Sequence, residues 1–372
     1  MSAIYGVGPG DVFWAASDVG WVVGHSYIVY GPLLAGCSTI LFEGKPVRTP
    51  DAGTFWRVMS EYRVKSFFTA PTAFRAVKKE DPEGSFISRY DLSNLKYVFL
   101  AGERLDPPTY HWLSDLLDRP VIDHWWQTET GWPVAANPAG LGLAPIRPGS
   151  ASLPMPGFEV KVLDQDGNEL PPGRYGDIAI KTPLPPGCLP TLYQDDERFR
   201  DAYLSRYPGF YLTGDGGFAD QDGYLFIMGR TDDVINVSGH RLSTGEIEEL
   251  IAKHPAVAEC AVIGMADELR GQVPAGFVVL KDGAELPPEQ IERELIAMVR
   301  EEIGAFACFK QAAVVDRLPK TRSGKILRGV MRKMADGDRF TAPSTIDDMS
   351  TLEEIKDAMR CNHIGRAFVE RV

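Results

Sequence analysis

Positive charge is scarce in this sequence: 39 Lys and Arg against 51 Asp and Glu leave a formal net charge of −12. A nucleic-acid partner needs a broad basic face to neutralise phosphates, and this balance excludes one. Cysteine is also sparse. Cys37, Cys188, Cys260, Cys308 and Cys361 lie far apart with no paired spacing, which excludes a disulfide framework or a cysteine metal site and fits reduced thiols in the cytoplasm. No long apolar run is present. The greasiest stretch, 21–37, is interrupted by His25, Ser26 and glycines, so no membrane span is expected, and the first residues lack the basic flank and apolar core of a signal peptide.

What is present is an ordinary globular composition, 44% hydrophobic and 24% charged, in a chain long enough for two or three cores. Apolar runs at 38–42, 64–68, 95–100 and 121–122 alternate with helical patterns at 55–62, 72–79 and 109–117, which predicts βαβ units and a mostly parallel sheet over residues 1–146. From 147 to 231 short strand-like runs at 158–163, 177–180 and 224–228 alternate with turn residues, predicting a β-rich subdomain. A small α+β domain follows over 232–336. Ser243 and Glu246 form a capping-box pattern, Pro255 ends that helix, strands are expected at 260–263, 276–280 and 312–315, and a helix at 288–303. Residues 337–372 read as a polar tail with a short helix at 352–359.

Several segments carry chemistry. Gly102-Glu103 and Asp123-His124-Trp125-Trp126-Gln127-Thr128 each follow an apolar strand, and ligands of open α/β sheets bind beyond the carboxyl ends of strands. Gly102-Glu103 alone also reads as an ordinary strand-to-helix loop. Two adjacent tryptophans on an extended backbone point to opposite sides, so one of Trp125 and Trp126 is expected to line a pocket. Asp215, flanked by glycines, suits the two hydroxyls of a ribose, and Arg230 offers a planar donor fork to ribose or phosphate oxygens. Lys325 ends a glycine-containing turn, 319–325, that reads as flexible and leads into a basic helix. A solvated helix start is the alternative.

Taken in order, 18–25, Thr69–Thr72, Gly102-Glu103, Trp125–Glu129, Tyr211–Gly216, Gly229–Arg241 and Pro319–Lys325 resemble the adenylate-forming acyl-CoA synthetases, with acetyl- and propionyl-CoA synthetases most similar. The resemblance implies the C-terminal part of the large adenylate-forming domain, a mostly parallel sheet plus a β-rich subdomain, followed by a small mobile α+β domain. It implies ATP-dependent joining of propionate or acetate to coenzyme A through an acyl-AMP. Gly102, Glu103, Arg104 and the run Asp123, His124, Trp125, Trp126, Gln127 and Thr128 would hold adenine and α-phosphate, Asp215 and Arg230 the ribose, and Arg241 the phosphate. Lys325 would be catalytic in adenylation, and Asp232 the hinge of a domain rotation. Ser238, Gly239 and Arg300 would meet CoA. His254, with the backbone of Ala252 and Val257, matches a Mg²⁺ position. Trp126 would floor the acyl pocket with Trp21 and Val22 on its wall, and Ala101, where acetate enzymes carry valine, leaves room for propionate.

The family's upstream phosphate-cradling loop, rich in Ser, Thr and Gly with a lysine, has no match among these residues. Two alternatives stay open. One is an N-terminally truncated enzyme that completes itself with a separately encoded N-terminal half or retains part of the chemistry. The other is a non-catalytic fragment.

Overall fold

The computed structural model describes residues 1–238, 240–284, 286–322 and 324–368, with Asp232 and Arg241 described by backbone alone. The chain divides into two compact units, residues 1–77 with 83–231, and residues 78–82 with 232–372.

The larger unit is built on five parallel strands in the order β2-β1-β3-β4-β5, where β1 is Val12–Ala15, β2 Ser38–Thr39, β3 Ser66–Thr69, β4 Tyr97–Leu100 and β5 Val121–Asp123. Successive side chains alternate between two cores, as strand geometry demands. Trp14, Phe67, Val98 and Val121 pack against Phe55, Trp56, Phe74 and Leu113 of the helices Thr54–Glu61, Pro71–Glu80 and Pro107–Leu117. Phe13, Phe68, Phe99 and Ile122 face the other way, onto Tyr5 and Tyr27. The apolar run expected at 38–42 yields only the two residues of β2, while β1, not anticipated, sits inside the sheet. Helix Pro107–Leu117 starts two residues before the expected 109, because Asp106 caps it: Asp106 Oδ1 accepts from Thr109 N–H at 2.8 Å, and proline opens the first turn.

The strands β6 (Ala135–Ala136) and β7 (Leu153–Pro154) pair briefly. A four-stranded antiparallel sheet then runs β11-β10-β9-β8, with β8 Val160–Leu163, β9 Gly176–Lys181, β10 Phe210–Ala219 and β11 Leu225–Arg230. Its Ile178, Tyr211 and Leu225 enter the same core as Phe13 and Phe99, so this subdomain and the parallel sheet share one interior. Gly217 is required here, since a Cβ would stand 2.0 Å from Phe226 O across the β10–β11 pair.

The smaller unit holds β12 (Ile235–Val237), β13 (His240–Leu242), β14 (Val257–Asp267), β15 (Gly271–Leu280) and β16 (Ala312–Val314), ordered β13-β12-β15-β14 with β16 parallel to β15. Helices Thr244–Ala252 and Pro288–Glu302 cover one face, on Val262 and Val278. Helices Arg328–Asp336 and Ser350–Cys361 cover the other, where Ile355 and Met359 join Met331, Ile263 and Phe277. The segment read as a tail is thus a packed layer of this unit, because Ile346, Leu352, Ile355, Met359 and Ile364 recur at helical and turn spacings that its polar composition obscures. No described helix is long and apolar enough to cross a membrane, and all five cysteines are free thiols.

Candidate active site

The carboxyl ends of β4 and β5 carry the residues singled out beyond the sheet. Gly102 follows β4 in a left-handed conformation, φ +98°, with open space where a side chain would stand. Glu103 is engaged by Arg75: Nη1 lies 2.9 Å from the Glu103 carboxylate, Nε 2.9 Å from Asp106, and Nη2 donates to Arg104 O at 3.0 Å. Burial alone would raise the Asp106 carboxyl, but Arg75 and the Thr109 donors outweigh it and hold it below the usual range. Arg104 Nε reaches Gly149 O at 3.4 Å. The loop after β4 is therefore braced from below by an arginine that no sequence pattern flagged.

After β5, Asp123 accepts from Leu105 N–H at 3.2 Å, and burial pushes its carboxyl up to about 7 against the pull of that bond and of Arg104. His124 turns into the core: Nδ1 lies 2.7 Å from Leu100 O and Nε2 2.9 Å from Tyr5 Oη, with the residue 2% exposed. Burial pulls its imidazole down to about 4. Expected to meet nucleotide, His124 instead occupies both ring nitrogens inside the protein.

The two tryptophans part as alternation requires. Trp125 is buried and its Nε1 donates to Asp215 Oδ2 at 2.9 Å. Gln127 Nε2 donates to the same oxygen at 2.6 Å and to Thr213 O at 2.7 Å. Arg230, opposite Asp215 across the β10–β11 pair, places Nη1 3.5 Å from Asp215 Oδ1 and 3.0 Å from Thr213 O. Tyr211 Oη meets Gln127 Oε1 at 3.3 Å, and its ring stacks on Tyr203 at 5.3 Å. The parallel sheet and the β-rich sheet are thus joined at one carboxylate, beside an exposed guanidinium. This is a donor and acceptor set suited to a vicinal diol next to a phosphate.

Trp126, half-buried, sets its ring edge-on to Tyr27 at 5.3 Å and lies 6.5 Å from Phe68. Ala101 is buried in the same core. Trp21, 46% exposed, and the half-buried Val22 lie on the turn entering the π-helical segment Gly24–Tyr30, which supplies Tyr27. Thr128 is exposed. Sequence reasoning missed Tyr5, Tyr27 and Arg75. The one available signal was a polar tip on each inside otherwise apolar surroundings.

In the smaller unit Ser238 has φ +50°, and its N–H donates to Arg270 O at 2.8 Å. Arg300 is exposed on the last turn of its helix. Gly239 and the side chains of Asp232 and Arg241 lie outside the described residues. His254 is buried, with Nε2 2.7 Å from Glu294 and Nδ1 accepting from Ala256 N–H at 3.2 Å. A ring so committed does not fit a metal ligand, and among the described residues no group of three or more His, Cys, Asp or Glu is placed to hold an ion. Lys325 is exposed on a closed turn, with Thr321 N–H donating to its carbonyl at 2.9 Å.

Comparison with known proteins accords with this arrangement. An uncharacterized protein of Pseudomonas aeruginosa is 62% identical over 98% of this chain and 58% of its own length. The propionate–CoA ligase of Escherichia coli K12 is 47% identical over 96% of this chain and 58% of its own. The chain spans about half the length of the curated relatives it matches. Among solved structures, the anthranilate CoA ligase AuaEII in complex with anthranoyl-AMP superposes with a TM-score of 0.77 at 29% identity, covering 89% of this chain and 61% of that one. The family profile of the AMP-binding enzyme matches residues 1–186, and that of the AMP-binding enzyme C-terminal domain residues 246–325. With these two matches, and with the fold and carboxylate cluster described above, the chain belongs to the AMP-binding enzyme family.

Proposed function

We propose that this chain serves the ATP-dependent ligation of a short-chain carboxylic acid to coenzyme A through an acyl-AMP, with propionate preferred over acetate. The observation that carries the reading is the convergence of Trp125, Gln127 and Arg230 on Asp215. Such a carboxylate, fixed before any ligand arrives, takes the ribose hydroxyls of a nucleotide while Arg230 meets oxygens beside them. A relative whose name is propionate–CoA ligase and a similar structure holding anthranoyl-AMP point the same way.

In the first step the acid's carboxylate oxygen attacks the α-phosphorus of ATP and pyrophosphate leaves. In the second the CoA sulfur, its proton lost, attacks the acyl carbon and AMP leaves. Lys325 supplies positive charge where it builds on oxygen in the first step. Ser238, Gly239 and Arg300 serve CoA, and Mg²⁺ enters with ATP as part of that substrate. Trp126, propped by Tyr27 and Phe68, closes the acyl pocket to long chains, and the small Ala101 leaves space for a third carbon. Five free thiols fit the reducing cytoplasm as the site of action.

The test supplies propionyl-adenylate and CoA to the purified chain and follows propionyl-CoA, alongside ATP–pyrophosphate exchange with propionate. Thioester formation is expected, unchanged in Lys325→Gln, with any exchange falling about 10²–10³-fold in that variant. Thioester formation without exchange in the natural sequence assigns it the second step alone. Silence in both assays overturns the reading in favour of a non-catalytic fragment.

A further inference from the structure

We infer that residues 344–347 are a positioning strand for the turn that carries Lys325. The turn is closed within itself: Lys320 and Ile326 form an antiparallel bridge, Gly324 N–H donates to Thr321 O at 2.8 Å, and Lys325 N–H donates to Thr321 Oγ1 at 3.1 Å. Its outer edge is taken by the later segment. Thr321 and Ile346 form a second antiparallel bridge, Arg322 N–H donates to Thr345 O at 2.9 Å, and Asp347 N–H donates to Lys320 O at 2.9 Å. Lys320 Nζ is held by Glu259 of β14 at 2.7 Å, which ties the turn's start to the sheet. The segment is anchored where it leaves: Arg317 reaches Asp348 at 2.6 Å, Ser350 Oγ at 2.7 Å and Glu354 at 2.8 Å. Ile346 and Ile326 are both buried in the core beneath.

The turn expected to be flexible is therefore a miniature sheet, and Lys325 extends its side chain from a backbone bonded on both sides. Misplacing a reacting group by about 1 Å costs on the order of 10²-fold in rate, which gives the strand its purpose. The C-terminal family profile ends at residue 325, short of this segment.

The inference rests on Lys325 acting in adenylation, but its first test does not. In the full chain, amide hydrogen exchange at Arg322, Gly324 and Lys325 is expected to be slow, and Asp347→Pro, which deletes the donor to Lys320 O, should speed it at least tenfold while β14 and β15 keep their protection. Unchanged exchange at the turn, or equal acceleration through the whole unit, overturns the proposal. Should Asp347→Pro not fold, Ile346→Ala, which loosens the strand's buried anchor, reads the same amides, and Ile346→Val must restore them. The second test is kinetic: in either disrupting variant kcat of ATP–pyrophosphate exchange should fall roughly 10–100-fold with KM for ATP and thioester formation from supplied adenylate unchanged. Parallel loss of both half-reactions marks a general defect and overturns the positioning role. Slow turn exchange in a natural chain that performs no exchange of pyrophosphate sinks the adenylation reading and leaves the clasp standing.

Discussion

The indole of Trp125, on the loop after β5, donates to the carboxylate of Asp215, on β10, across 90 residues of sequence and at 2.9 Å. This bond joins the two sheets of the larger unit at the proposed nucleotide site. Trp125→Phe keeps an aromatic ring but removes the donor and some buried volume, and should cost at least about 1 kcal/mol in urea unfolding. Asp215→Ala leaves the buried indole N–H without its acceptor and should cost roughly 1–3 kcal/mol. If the bond orients the carboxylate, Trp125→Phe also weakens AMP binding measured by calorimetry, and an unchanged Kd would separate Trp125 from the nucleotide site.

Arg75 holds two carboxylates, Glu103 and Asp106, with its own side chain only 13% exposed. Removing one partner of a buried ionic cluster leaves the others uncompensated. Arg75→Met is expected to destabilise the fold by about 3–5 kcal/mol, and Arg75→Met combined with Glu103→Gln and Asp106→Asn to recover a large part of it. A triple variant no more stable than the single one would show that shape rather than charge is what Arg75 supplies.

Asp123 and His124 are neighbours whose protonation works in opposite directions. The folded state keeps His124 neutral down to about 4, so below the unfolded value near 6.5 the unfolded chain binds the extra proton and stability falls with falling pH. Asp123 titrates up to about 7 when folded, so its contribution is fully present below its unfolded value near 3.9 and is lost as pH rises towards 7. Between pH 4 and 6.5 the two slopes oppose. Relative to the natural sequence, Asp123→Asn should lose stability on acidification and His124→Asn on moving towards neutrality, each by up to about 1.4 kcal/mol per pH unit in urea titrations. Parallel curves for all three proteins would contradict this.

Ala101 is 5% exposed and shares a core with Trp126, the proposed floor of the acyl pocket. Ala101→Val fills that space and should lower the propionate-to-acetate ratio of kcat/KM about tenfold, since one methylene is worth roughly 1–3 kcal/mol. A ratio that stays put would move the specificity elsewhere.

The parallel sheet was legible wherever a run of apolar residues met a helical pattern, as at β3, β4 and β5. It was not legible at β1, whose apolar run at 12–16 is followed by a stretch broken by Gly20, Gly24, Gly31 and Gly36 rather than by a helical pattern. Around Asp215 the strand β10 was legible only as a glycine-flanked extended segment, because glycines such as Gly217, which the close approach of β11 requires, break the alternation that marks a strand. In the site, Trp125, Gln127, Asp215 and Arg230 stood out because chemistry and order both marked them. His124 shared the motif yet serves the core, because a neighbour in sequence on an extended backbone faces the opposite side. Arg75 and Tyr27 could not be found this way: each acts on residues 28 to 99 positions distant, and only the fold brings them together.

The bridge between Thr321 and Ile346 also sets an order in time. During synthesis the lysine turn leaves the ribosome roughly 25 residues ahead of the strand that holds its edge, a lag of about 1–5 s at ordinary elongation rates. Through that interval the turn has its own hydrogen bonds but not its neighbour, and the second face of the small unit is still uncovered. The turn gains its outer hydrogen bonds only once residues 344–347 have emerged, so a nascent polypeptide that already contains Lys325 does not yet hold it as the folded unit does.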